Sequence, residues 1–381
     1  MPPYPDMKRL ILLLLLGSMG HTSANAASAS RWAEPIKVIC AVGPEGRGYA
    51  EASVAWKQLA TADATALVDI LGAMNGANEL ALNWLRSAVD TIAARDSAAG
   101  KKLPLDALEV FLRDTKNQAQ ARRMAYELIA GTNPARAEAL IAGMVNDPGR
   151  ELRRDAVQRQ VDAASALAKA SKTNDAVAQY QAAIKSARDA DQVEDIAKEL
   201  KKLGSPVSLP SVFGWVSDWK VIGPFDNKDR AGFEKVFPPE QGIDLSAEYD
   251  GLNGKVKWQD FKVTGDYGMV DLNKPIGALK EVTGYAYTEF YAEKARPVEL
   301  RLGCKNGWKV WLNGKYLFGR DEYHRGAEID QYRLAGELKP GRNTILVKLT
   351  QNEQKEDWTK EWEFQIRITD ALGTPIASAK R

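Results

Sequence analysis

The sequence predicts a multidomain chain of α-then-β class, a helical half followed by an antiparallel β-sandwich. Three observations carry that expectation. Seven of the ten Trp fall after position 210, whereas residues 27 to about 205 are rich in Ala with scattered Arg and Asp. The spacing of apolar residues changes from helical to alternating after Gly204-Ser205-Pro206, where a Gly C-cap and a Pro end the last helix. Asn313-Gly314 stands between two alternating apolar runs, the strongest short-range hairpin signal, because a type I′ turn needs two residues that tolerate positive φ. At 381 residues the chain exceeds one ordinary core.

The N-terminal residues read as an address. Met7-Lys8-Arg9 is followed by the apolar run Leu10 to Leu16 and by Ala24-Asn25-Ala26. A basic start, a short apolar core and a small-residue cleavage site predict a signal peptide over residues 1–26, cleaved near Ala26. The run is far short of the ~20 residues that span a bilayer. A secreted or periplasmic protein with no membrane insertion after cleavage is expected.

Residues 27–205 are expected to form successive amphipathic helices, as in Leu67, Ile70, Leu71 and Met74. An Arg-x-Ala motif recurs at Arg86, Arg123 and Arg154, spaced 37 and then 31 residues apart, and Asp147-Pro148 closes one helix and opens the next. In these features residues 134–163 resemble HEAT repeats, and the resemblance implies stacked helix pairs and a protein partner. The irregular period leaves a plain helical bundle open. Asn174 to Leu203 looks like one tetratricopeptide-like helix pair, through Tyr180, Ala183, Ile184, Val193 and Ile196.

Residues 207–374 alternate with period two: Trp362, Phe364, Ile366 and Ile368 are one buried series, and Ile345, Val347 and Leu349 another. Further strands are expected at 219–222, 256–263, 285–291 and 297–302, with a second hairpin at Leu252-Asn253-Gly254-Lys255 and a disordered tail over 375–381. Eight or so short strands suggest a jelly roll. The order of the Gly307–Lys315 hairpin, a long loop, Pro340-Gly341-Arg342-Asn343 and an apolar strand resembles the sugar-binding jelly-roll domain of glycoside hydrolase family 2 and its galactose-binding-like relatives. That resemblance implies a binding or scaffolding module.

Composition excludes much chemistry. A net charge of +2, with no basic stripe carrying interleaved aromatics, argues against nucleic acid as a partner. Removal of the signal leaves His324 as the one histidine, too few for most zinc sites and nucleophilic dyads or triads. Cys40 and Cys304 are expected as free thiols, Cys304 behind the strand of Val298, Leu300 and Leu302. Asp226-Asn227-Lys228-Asp229 lacks the alternate ligands of a calcium loop and reads as an Asx turn. No phosphate-cradling glycine motif follows a strand. No metal or cofactor is expected.

The candidate ligand-binding residues lie in loops. Tyr323 and His324 belong to the loop after the Asn313-Gly314 hairpin, and Asn352 and Trp358 to the loop after the apolar strand. Aromatic faces stack on the apolar side of sugar rings, while amides and carboxylates serve the hydroxyls. Each has a bland alternative: Trp358 as a plug of the sandwich end, His324 as a loop hydrogen-bond partner, Asn313 as a turn residue. Trp311 has opposite parity to Val310 and Leu312, so it faces away from the core as a stacking platform or as packing against the helical domain. No carboxylate pair is singled out by spacing. The expectation is an exported non-catalytic protein whose sandwich contacts a glycan and whose helices contact a protein. A structural scaffold without a small ligand and a polysaccharide-acting hydrolase are the alternatives.

Overall fold

The computed structural model describes residues 23–379; the expected signal segment lies largely outside the described residues. Contacts divide the described residues into two compact units, one running up to residue 141 with 147–151 and the other holding 142–146 and the residues from 152 onward. The division falls inside the helical half, so the later helices pack with the β half; and Gly204-Ser205-Pro206 does not end the last helix, since a short one, Leu209–Phe213, with Pro in its first turn, follows before the first strand.

The first unit holds α1 (Ser23–Cys40), α2 (Tyr49–Leu59), α3 (Leu67–Ala73), α4 (Glu79–Ala98), α5 (Leu105–Arg113), α6 (Ala119–Thr132) and α7 (Pro134–Ile141). Residues spaced three and four apart are fully buried, among them Leu67, Ile70 and Leu71 of α3 and Leu85, Val89 and Ile92 of α4. Asn78 caps α4, its side-chain oxygen accepting from Ala81 N at 2.9 Å. The expected Asp-Pro junction is tied by buried Arg122: it donates to both Asp147 carboxylate oxygens, at 2.8 and 2.5 Å, and to the Leu112 carbonyl at 2.7 Å. Arg123, singled out by the repeat spacing, instead pairs along its own helix with Glu127 at 2.9 Å.

In the second unit α8 (Arg150–Lys169), α9 (Thr173–Ser186), α10 (Ala190–Lys202) and α11 (Leu209–Phe213) share a core of Val157, Tyr180, Ile184, Val193, Ile196, Leu200, Phe213 and Trp215. The strands are β1 (Asp218–Asp226), β2 (Glu248–Gly251), β3 (Gly254–Lys257), β4 (Gln259–Lys262), β5 (Val270–Asp271), β6 (Val282–Ala292), β7 (Arg296–Cys304), β8 (Gly307–Leu312), β9 (Lys315–Arg320), β10 (Tyr332–Leu338), β11 (Gly341–Gln351) and β12 (Glu363–Thr369). They make an antiparallel six-stranded sheet, β4-β1-β6-β11-β8-β9, an antiparallel four-stranded sheet, β10-β7-β12-β5, and the small β2-β3 hairpin. Inward residues of both large sheets, such as Val221, Ala286, Val310 and Val347 against Leu300, Leu302, Phe364 and Ile366, form one apolar core.

Both expected hairpins are present, and Asn313 and Gly314 have φ of 53° and 77°. The strand expected over 256–263 is broken at buried Trp258, where the chain leaves β3 for β4. Residues 375–379, expected as part of a disordered tail, are held: Ile376 N donates to Ile368 O and Ala379 N to Tyr291 O, both at 2.8 Å. Both cysteines are free thiols; burial pushes Cys304 up to about 12.

Candidate functional site

Two loops at one end of the sandwich carry the site: residues 321–331 between β9 and β10, and 352–362 between β11 and β12. Their anchoring comes from buried amides and hydroxyls at strand ends. Gln351, fully buried at the end of β11, donates from Nε2 to the Thr359 carbonyl at 3.0 Å and the Glu361 carbonyl at 3.2 Å. Asn306 donates to the Glu361 carbonyl at 3.0 Å and accepts from Glu363 N at 3.2 Å. Lys280 Nζ adds a bond to the Thr359 carbonyl at 2.7 Å. A buried polar group left unpaired is costly, so these matched partners give the loop one conformation.

Trp358 stands on this frame in a short 3₁₀ turn, Asp357–Thr359, and is 61% exposed, unlike the buried Trp308 and Trp362 of the core. Its ring meets the His324 imidazole edge to face, with centroids 5.1 Å apart and planes at 85°. His324 adopts a left-handed backbone, φ 60°, and its N–H donates to the Lys305 carbonyl at 2.7 Å. Its Nε2 lies 2.9 Å from Asn352 Oδ1, and Asn352 is fully buried. Three of the residues expected from sequence, Trp358, His324 and Asn352, thus form one contiguous chain of contacts.

Tyr323 lies at the base of that cluster. Its hydroxyl is 2.8 Å from Thr350 Oγ1 and receives a bond from Asn227 Nδ2 at 3.4 Å; burial pushes the phenol up to about 12. Its ring fits because residue 307 is Gly: a Cβ there meets Thr350 Oγ1 at 2.4 Å and the Tyr323 ring at 3.2 Å. The phenol is therefore a pedestal for His324 more than an open stacking face.

Trp311 is not part of this end. Val310 and Leu312 point into the core, so alternation turns the Trp311 ring to the outer face of the six-stranded sheet. There it pairs with Tyr316, centroids 5.6 Å apart, and packs against the cluster of Tyr287, Leu346 and Trp258. Its neighbours are therefore the sheet and the excursion between β1 and β4, all within the second unit.

Two charged residues not singled out from the sequence complete the site. Arg230 donates to Glu353 at 2.7 and 3.2 Å, and its guanidinium sits over the Tyr323 ring at 5.2 Å. The hydrogen bond from Arg230 holds the Glu353 carboxyl below the usual carboxylate range. Arg230 arrives through the Asp226–Asp229 segment, where Lys228 N donates to Asp226 Oδ1 at 3.0 Å in the expected Asx turn. Asp321 is shifted the other way, raised by burial. Glu322 is held by Arg320 at 2.9 Å and Arg325 at 3.4 Å. Among the described residues no cluster of His, Cys, Asp and Glu is arranged to hold a metal ion, and no helix is long and apolar enough to cross a membrane.

No protein-family model matches the chain, and no curated protein matches it. Among solved structures, an α-xylosidase of glycoside hydrolase family 31 from Xanthomonas citri aligns with 30% of this chain and 15% of its own, at 13% identity and a TM-score of 0.18. An alkylpurine DNA glycosylase from Pseudomonas fluorescens, bound to DNA containing an abasic site analogue, aligns over 92% of this chain and 96% of its own, at 10% identity and a TM-score of 0.19. Both similarities are too slight to carry fold or activity, so function is argued from the chain's own residues.

Proposed function

We propose that this chain is an exported, non-catalytic binding protein whose β-sandwich contacts a glycan at the Trp358 end and whose helices contact a protein. The observation that carries the reading is Trp358: an indole 61% exposed on a loop fixed by buried hydrogen bonds. Exposure of a large aromatic on a rigid loop is what sugar stacking needs and what core packing removes. Polar groups of the kind that meet hydroxyls belong to the same end: His324 stands against the indole, and Asn352 joins it to Gln354, while Arg230 and Glu353 pair beside Tyr323. The resemblance of the hairpin, loop and Pro-Gly-Arg-Asn order to galactose-binding-like domains, and of residues 134–163 to HEAT repeats, supports the same division of labour. The exposed indole also weighs against a scaffold without a ligand, and pairing of Glu353 and Glu322 with arginines weighs against a free acid and base for hydrolysis.

Affinity electrophoresis of the full chain in gels cast with a panel of plant and microbial polysaccharides tests the reading. At least one polysaccharide is expected to retard the wild type and to lose that effect with Trp358→Ala. Equal mobility of both proteins in every gel would remove glycan binding from consideration.

A further inference from the structure

The Asn352 amide has only one workable orientation. The backbone N–H of Gln354 donates to Asn352 Oδ1 at 3.3 Å, and exchanging the two amide atoms would set Nδ2 against that fixed donor, whereas the Gln354 side-chain amide, which accepts from Nδ2 at 3.2 Å, can turn to suit either. Oδ1 therefore accepts from His324 Nε2 at 2.9 Å, and Nε2 carries the proton. In the neutral imidazole the second nitrogen, Nδ1, then presents a bare lone pair. Among the described residues no group donates to Nδ1, and it is absent from the buried atoms left without a partner, so solvent reaches it. The ring carrying this lone pair stands edge to face with Trp358.

We infer that His324 is the specificity-determining residue of the glycan site: its Nδ1 lone pair accepts a sugar hydroxyl and rejects a carboxylate at the same position, which selects neutral sugars over uronic acids. The inference rests on the glycan reading of the Trp358 end and adds the class of sugar. A hydroxyl supplies the proton the lone pair needs, whereas an ionised carboxylate has none and leaves two acceptors facing each other. A site built around one buried or half-buried polar group discriminates strongly against a ligand that leaves it unpaired.

The experiment uses the full chain and two matched pairs of probes, the methyl glycosides of galactose and galacturonic acid and of glucose and glucuronic acid. Affinity is read by ¹H–¹⁵N NMR titration near pH 7.5, and the ¹⁵N signals of His324 report the tautomer directly. Nitrogen-15 shifts of an Nε2–H imidazole, with at least one neutral glycoside bound about tenfold more tightly than its uronate, are expected. His324→Phe keeps the aromatic edge beside Trp358 and is expected to abolish the preference while retaining some binding. His324→Gln restores a donor and an acceptor and is expected to recover part of it. Equal or stronger binding of the uronates by the wild type, a preference unchanged in His324→Phe, or an Nδ1–H tautomer overturns the inference and leaves the glycan reading standing. Failure of all four probes and of every polysaccharide gel removes both together.

Discussion

Replacing Asp330 by Asn is expected to destabilise the second unit by about 3 kcal/mol or more at pH 7, because it strips the one carboxylate shared by two buried guanidiniums. Asp330 ends the loop that carries Tyr323 and His324, and it accepts from Arg367 at 2.7 and 2.6 Å and from Arg301 at 2.7 Å. Arg367 is 2% exposed, and its remaining bonds within the second unit include Nη1 to the Phe213 carbonyl at 3.2 Å. Arg301 keeps Glu299 at 2.7 Å, which places the expected loss toward the lower part of the ~3–5 kcal/mol range for breaking a buried pair. Desolvation alone would raise the Asp330 carboxyl, but the hydrogen bonds and charges of Arg367 and Arg301 outweigh it and the net shift is downward. A carboxyl lowered in the folded state contributes its stability above its unfolded value, about 3.9, and loses it as pH falls through the folded value. Urea unfolding followed by tryptophan fluorescence reads the second unit well, since seven of the ten Trp lie beyond position 210. The wild type should exceed Asp330→Asn by about 3 kcal/mol at pH 7, and the gap should close as the pH is lowered below about 4. A difference under about 1 kcal/mol at pH 7, or one that does not change with pH, would refute the claim that this carboxylate is the charged centre holding the loop.

Trp358→Ala removes a ring that is 61% exposed, so urea unfolding should show a change within about 0.5 kcal/mol while gel retardation by polysaccharide is lost. Lys348→Met leaves Glu240 without its cation and the carbonyls of Phe233 and Lys235 without a donor; calorimetry should register a loss of about 3–5 kcal/mol, with part recovered in the double variant Lys348→Met, Glu240→Gln. Gly232→Ala puts a methyl group 2.5 Å from the Asp226 carbonyl and 2.7 Å from Asn227 Oδ1, so it should cost about 1–3 kcal/mol in chemical unfolding and displace Arg230 from Glu353, visible as altered affinity at the Trp358 end. In the first unit, Arg122→Met removes the buried guanidinium that donates to both Asp147 carboxylate oxygens and to the Leu112 carbonyl, and helical circular dichroism during urea unfolding should show a loss of about 3 kcal/mol.

Much of the fold was legible because it depends on local periodicity. Alternation located β6, β7, β8, β11 and β12, and Asn-Gly located both hairpins, since backbone preference and side-chain period act over a few residues. The strands β5 and β10 were not legible. The first is two residues long, and β10, a sheet edge whose Arg333, Ala335 and Glu337 stay exposed, has Gly336 where its inward series Tyr332, Leu334, Leu338 needs an apolar side chain. The candidate site divides in the same way. Trp358, His324 and Asn352 stood out as aromatic and amide residues in two loops, but nothing local separates them from Trp311, whose outward parity is just as clear. Arg230 and Glu353 are 123 residues apart in sequence, a separation at which pairing leaves no periodic trace.

By itself the sequence determined where helical periodicity gives way to alternation, to within the short α11 that follows Gly204, where the tight turns fall, and that His21 and His324 are all the imidazoles it offers. Those properties follow from backbone conformational preference, the period of apolar side chains and residue counts, all of which act within a short window. Only the tertiary structure decided that α9 and α10 share a compact unit with the sheets, that Tyr323 is a pedestal, and that Asn352 meets His324 Nε2 beside an open indole. Each of these is a matching of hydrogen-bonding groups brought together from distant parts of the chain, and desolvation makes such matches decisive only once the fold has excluded water around them.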